Sequence, residues 1–279
     1  MISQFLFTKS LITLLAFFNA PKTEATPPLE NPLGKTISSR FAPPNEYMQV
    51  LTQPGTFANY LQHFPLKNAG TPVKYFNGEL KSNNEVYAAV LDISTGNRDL
   101  QQCADAIIRL RAEYLYSTKQ FDKIQFHFTN GFLASFSKWI LGYRIVVKGN
   151  SVYWIKSGNP SSSHSELIKY LNVVFTYAGS LSLSKELIKV PLNTIQIGDV
   201  FIRGGSPGHA VLVVNMAVEK TSKNKLFLLV QSYMPAQDIH ILQNNRDSQY
   251  SPWFSSNIST NLHTPEWVFS KEELMRFPN

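Results

Sequence analysis

The sequence predicts an α+β domain in which a helix led by the only cysteine packs on an antiparallel β-sheet. Three observations carry this expectation. Cys103, Ile107, Leu110 and Tyr114 recur at helical spacing and fall on one stripe. Downstream, Asp199–Ile202, His209–Val218, Leu226–Ser232 and Asp238–Leu242 read as short β-branched strands, with the polar run EKTSKNK as a central hairpin turn. A composition of 43% hydrophobic and 13% aromatic residues over 279 positions suffices for a packed core, which excludes disorder, collagen and coiled coil as the main architecture.

At the N-terminus, Lys9 precedes the apolar run Leu11–Phe18, and Ala20 or Ala25 offers a small residue for cleavage. Residues 1–20 therefore read as a signal peptide, or as an uncleaved anchor if Phe5–Phe7 lengthens the run. The expected location is outside the cytoplasm, periplasmic or extracellular, with peripheral membrane association only if the segment is retained. Residues 21–45, with Pro27, Pro28, Pro32, Pro43 and Pro44, read as a spacer. Residues 46–279 then form a single domain. The formal charge of +7 suits an anionic wall, lipid or polysaccharide, and without a local Lys/Arg cluster it gives no sign of a nucleic-acid partner.

Within the domain, Phe57–His63 reads as a helical turn and Glu85–Ser94 as a buried strand. Asp99 is placed to cap the cysteine-bearing helix, on which Asp105, Arg109 and Glu113 make i,i+4 pairs on a solvated face or in a packing clamp. Phe126–Phe132 reads as a loop before two strands, with Trp139 and Trp154 as core or groove lining. Ser165–Leu187 reads as a helix capped by Ser165 and broken near Gly179. Around Trp253 a polar loop covers the core or walls a groove, and Ser270 with Glu273 starts a short closing helix.

Chemistry concentrates on few residues. A lone cysteine forms neither an internal disulfide nor a Cys-rich zinc site, and His63, His127, His240 and His263 lack metal-ligand spacing, so neither metal nor cofactor is expected. At the start of a helix, Cys103 is either a thiolate nucleophile favoured by the helix N-terminus or a small buried hydrophobe. His209 opens a strand and Gln231 lies near the end of its hairpin partner. Adjacent strands run about 4.8 Å apart, so one side chain can orient the other. Gly204–Gly208 also matches the G-x-S-x-G elbow of α/β-hydrolases, but strand formers rather than a helix follow it. A tight loop lifting His209 to a strand end explains these glycines better.

The segments GHAVLVV and LLVQSY, with Cys, His and amide in that chain order, resemble the corresponding segments of papain-like cysteine peptidases. The IGDVF segment before the glycine-rich turn is similar to that of NlpC-like cell-wall endopeptidases of the same clan. QQCADA, GDVFI and QSYMPAQ together resemble a bacterial family catalogued as a domain of unknown function. The resemblance implies a papain-like α+β fold with Cys103 as nucleophile, His209 as general base and Gln231 as orienter. An oxyanion donor is expected from the Cys103 N–H with Gln102, Gln101 or Asn97. The Cys-Gly-Ser-Cys-Trp signature of papain-like enzymes is absent, and Ala104-Asp105 follows Cys103.

Two functional classes follow. One is an exported thiol hydrolase cutting an amide or ester bond, with a peptide or peptidoglycan-like substrate and with Trp253, Tyr233 and Asn97 at the substrate. The other is a catalytically silent peptide- or glycan-binding module of the same fold, stacking its ligand on Trp139, Trp154 or Trp253.

Overall fold

A computed structural model describes residues 29–278. The expected signal segment lies outside them. The architecture is mixed α+β with a large antiparallel sheet and few helices. In order across it run Tyr87–Val90, His240–Leu242, Lys225–Gln231, His209–Glu219, Val200–Arg203, Leu274–Arg276 and Ile188–Lys189. Tyr47–Gln49 pairs with the far end of the longest strand, and Phe254–Ser255 with the start of its hairpin partner.

The strand His209–Glu219 is buried from His209 through Ala217 on successive residues, so both of its faces are covered. That is why its sequence reads as an unbroken apolar run rather than an alternation. The helix Cys103–Ser117 packs across this strand and its neighbour Lys225–Gln231. A register shift between Leu228 and Leu229 bends the central hairpin. Buried there, Asn215 accepts a hydrogen bond from Gln62 Nε2 at 2.7 Å, which ties the short helix Phe57–Gln62 to the sheet.

Several local expectations are corrected. The stretch expected as spacer contributes to the core: Thr36 caps a turn of helix, Ile37–Arg40, that buries Ile37 and Phe41. Over the described residues 29–45, Pro32, Pro43 and Pro44 belong to chain joined to the fold by irregular contacts rather than to a linker. The N-cap of the helix Cys103–Ser117 is Gln102, not Asp99, and the Asp105 carboxylate accepts from the Gln102 N–H at 3.2 Å. Of the two alternatives for Asp105 and Arg109 the packing clamp is the one present, since both are buried; Arg109 pairs with Glu113 at 2.8 Å and donates to Gln101 Oε1 at 3.0 Å. His164 opens the helix His164–Tyr177, with Ser163 as its cap instead of Ser165; the break near Gly179 is present and Ser180–Glu186 follows. Trp139 lies in a short helix, Phe136–Ile140, followed by the hairpin Tyr143–Lys148 with Ser151–Lys156, and the stretch Phe126–Phe132 expected as a loop is bounded by a further strand pair, Gln125–His127 with Leu133–Ser135.

The expected closing helix is a single 3-10 turn, Lys271–Glu273, leading into the strand Leu274–Arg276. Arg276 explains the difference. Its guanidinium meets the fully buried Asp199 carboxylate through two bonds, at 2.6 and 2.8 Å, and this holds the C-terminal segment as a strand beside Val200–Arg203. Asp199 of the IGDVF segment is thus a buried anchor for the sheet edge. Among the described residues no helix is long and apolar enough to cross a membrane.

Candidate functional site

A cleft of about 620 Å³ opens where the first turn of the Cys103–Ser117 helix meets the N-terminal end of the His209–Glu219 strand. Gln102, Cys103, Asp105, His209, Tyr233 and Trp267 line it, and the glycine loop before His209 forms one rim. At Gly208 a Cβ would come within 2.4 Å of both Gly205 O and Ser180 Oγ, so only glycine lets the chain pass under the adjoining helix start and deliver His209 to the strand end. The run Gly204–Gly208 connects two strands, which fits a loop and not a strand-to-helix elbow.

Cys103 is the first helical residue, where backbone N–H groups lack intrahelical acceptors. The N–H groups of Ala104, Ala210 and Cys103 itself face its sulfur and favour the thiolate. Burial outweighs these donors and, with the nearby Asp105, pushes the thiol up to about 11. His209 is buried, and that burial lowers its imidazole to about 4 against the opposing hydrogen bond to Gln231. Thiol and imidazole are therefore both neutral at pH 7. The rings of Tyr233, Trp267 and Phe269 enclose the imidazole, with centroids 4.8, 5.3 and 5.9 Å away.

Gln231 meets His209 as expected: its Oε1 lies 2.8 Å from His209 Nε2. Its Nε2 donates to Glu266 Oε2 at 2.6 Å and lies 3.4 Å from His240 Nε2. Lys81 Nζ completes the chain, at 2.7 Å from Glu266 Oε1 and 5.7 Å from the centroid of the Tyr233 ring.

The other expected site residues divide. Gln102 and Tyr233 line the cleft. Gln102 Nε2 donates to Asp99 Oδ1 at 3.0 Å, and Asp99 Oδ1 also accepts from the Ala236 N–H at 2.7 Å, so Asp99 joins the helix approach to the loop beyond Tyr233. Asn97 is exposed and outside the cleft lining. Gln101 is turned to the interior, where its Oε1 holds Arg109 and its carbonyl accepts from Ser232 Oγ at 3.0 Å. Trp253 is fully buried with its Nε1 donating to Ala42 O at 3.1 Å, so it is core and not a substrate platform. Trp139 is likewise buried, donating to Glu166 Oε2 at 2.8 Å.

Sequence reasoning missed Trp267, Glu266 and Lys81 at the site. Their segments carry no catalytic motif, and Lys81 reaches Glu266 across 185 positions of chain. His240 was legible in part: once Asp238–Leu242 is a strand beside Leu226–Ser232, it can stand opposite Gln231, and the register places it there. Among the described residues no group of three or more His, Cys, Asp or Glu side chains is placed to hold a metal ion.

The family described as domain of unknown function (4846) matches residues 37–276. No curated protein and no solved structure matches the chain.

Proposed function

The chain belongs to the domain of unknown function (4846) family, and we propose that it is a thiol hydrolase of papain-like type, with Cys103 as nucleophile, His209 as general base and Gln231 as orienter. The carrying observation is that Cys103 and His209 line one cleft while His209 is held through Nε2 by Gln231. With Nε2 occupied, Nδ1 is the ring nitrogen available to take a proton.

Because thiol and imidazole are both neutral at rest, proton transfer accompanies attack. His209 Nδ1 accepts the thiol proton as sulfur bonds to the carbonyl carbon, and the carbonyl oxygen becomes an oxyanion. The Cys103 N–H and the second hydrogen of Gln102 Nε2 are the donors nearest in sequence for that oxygen. Collapse breaks the bond to the leaving amine or alcohol, which takes the proton back from His209. Water, deprotonated by the same imidazole, then hydrolyses the thioester and restores the thiol.

The substrate class that fits is an amide or ester in a peptide outside the cytoplasm, including a cell-wall peptide. Its support is the apolar N-terminal run and the basic charge. The burial that pushes Cys103 up to about 11 favours the second reading, a silent binding module. The two part on acylation by p-nitrophenyl acetate. A hydrolase releases nitrophenolate and carries an acetyl group on Cys103, seen by peptide mass; Cys103→Ala abolishes it and His209→Ala slows it about 100-fold or more. A native protein that stays unacetylated is a binding module.

A further inference from the structure

The hydrogen bonds around Gln231 can be followed outward to a group whose role admits no choice. The Asp238 carbonyl only accepts, and His240 Nδ1 lies 2.8 Å from it, so Nδ1 carries the hydrogen. Neutral His240 then presents a bare Nε2 toward Gln231. Glu266 presents a carboxylate oxygen to the same end of that amide. Two acceptors, one at 2.6 Å and one at 3.4 Å, meet the two hydrogens of a single NH₂ group. The amide oxygen is thereby forced to the opposite side, toward His209.

From this geometry we infer that Glu266, assisted by His240, is a positioning residue that fixes the orientation of the Gln231 amide and hence holds His209 as the Nε2–H tautomer with Nδ1 as its basic nitrogen. The inference deepens the nucleophile–base reading above and rests on it for its catalytic meaning. A flipped Gln231 would place NH₂ against His209 Nε2, move the imidazole hydrogen to Nδ1 and remove the lone pair that the thiol proton needs.

Lys81 gives the arrangement its chemical specificity. Glu266 has two donors to satisfy, Lys81 at Oε1 and Gln231 at Oε2. A carboxylate can serve both; a carboxamide has one oxygen and must release one of them. Glu266→Gln therefore frees the Gln231 amide if its oxygen stays with buried Lys81. Removing Lys81 as well, in Lys81→Met/Glu266→Gln, returns that oxygen to Gln231. The charged and titratable groups facing this network are Lys81, Glu266, His240, Tyr233 and Cys103, so the double variant changes two charges of opposite sign together.

The test is ¹⁵N NMR of the histidine ring nitrogens in the full chain, with acetylation of Cys103 by p-nitrophenyl acetate measured on the same samples and melting used to confirm folding. The native protein shows His209 as one Nε2–H tautomer. Glu266→Gln shows a mixture and acetylates about tenfold more slowly, and Lys81→Met/Glu266→Gln recovers both. A single unchanged tautomer in folded Glu266→Gln and Glu266→Ala overturns the inference even if His209→Ala abolishes acetylation. If instead His209→Ala leaves acetylation unchanged, the nucleophile–base reading fails, while the tautomer spectrum still reports on Glu266.

Discussion

His209 and Gln231 stand on neighbouring antiparallel strands and meet through their side chains at 2.8 Å, both of them buried. Burial makes this bond strong and its loss costly, since each partner would keep a desolvated polar group. Gln231→Ala is expected to destabilise the fold by about 1–3 kcal/mol in denaturant titration. It should also slow acetylation of Cys103 by about tenfold or more, because His209 loses its fixed orientation. A folded variant with native acetylation would remove Gln231 from the mechanism.

Acid should weaken the fold through its two buried histidines. Burial lowers His209 to about 4 and His240 to about 3, so between pH 6.5 and 4 the unfolded chain binds protons that the native state refuses. Stability is then full above the unfolded histidine value and falls as pH drops below it, by about 3 kcal/mol per histidine. Denaturant titrations at pH 7, 5.5 and 4.5 measure the slope, and His240→Gln should reduce it. A pH-independent midpoint over this range would contradict the buried, neutral state of the pair.

Gly208→Ala tests the loop that delivers His209. The added methyl carbon would fall 2.4 Å from Gly205 O, a backbone atom, so the loop has to shift. A cost of about 1–3 kcal/mol is expected, with slowed acetylation as the imidazole moves. Native reactivity and native stability together would show that the loop is tolerant.

The two tryptophans of the C-terminal third should separate. Trp253→Ala removes a fully buried ring and should cost about 3–5 kcal/mol, with the acetylation rate per folded molecule unchanged. Trp267 lines the cleft beside His209, and Trp267→Ala should change that rate in protein that still folds. The reverse pattern would place the substrate surface elsewhere.

The chain itself announced the parts of the site that depend on local pattern. Cys103 at a helix start and His209 at the head of an apolar strand were visible from periodicity, and Gln231 followed from hairpin pairing. What was hidden depends on distant segments brought together by the sheet. Trp253 sits in a polar loop that reads as covering the core or walling a groove, and its indole reaches Ala42, 211 positions away, in a stretch that reads as spacer. Asp105 and Arg109 read as a solvated face or a packing clamp because i,i+4 pairing is common on surfaces; here they are buried, and the segment leading into the helix covers Arg109, whose guanidinium donates to Ser94 O at 3.4 Å and Gln101 Oε1 at 3.0 Å. Glu266 and Lys81 have no motif of their own, and their roles come from the two oxygens and three hydrogens they bring to Gln231 and to each other.

The central claim is that Cys103 and His209 act as nucleophile and base, and the pH dependence of Cys103 acetylation by p-nitrophenyl acetate tests it most directly. In the native protein the rate should rise through about pH 4, as His209 loses its proton, and stay level through the neutral range. In His209→Ala it should instead climb about tenfold per pH unit toward the thiol value of about 11, following the thiolate alone. Matching profiles in the two proteins, or a native thiol that is acetylated only after unfolding, would contradict the pairing.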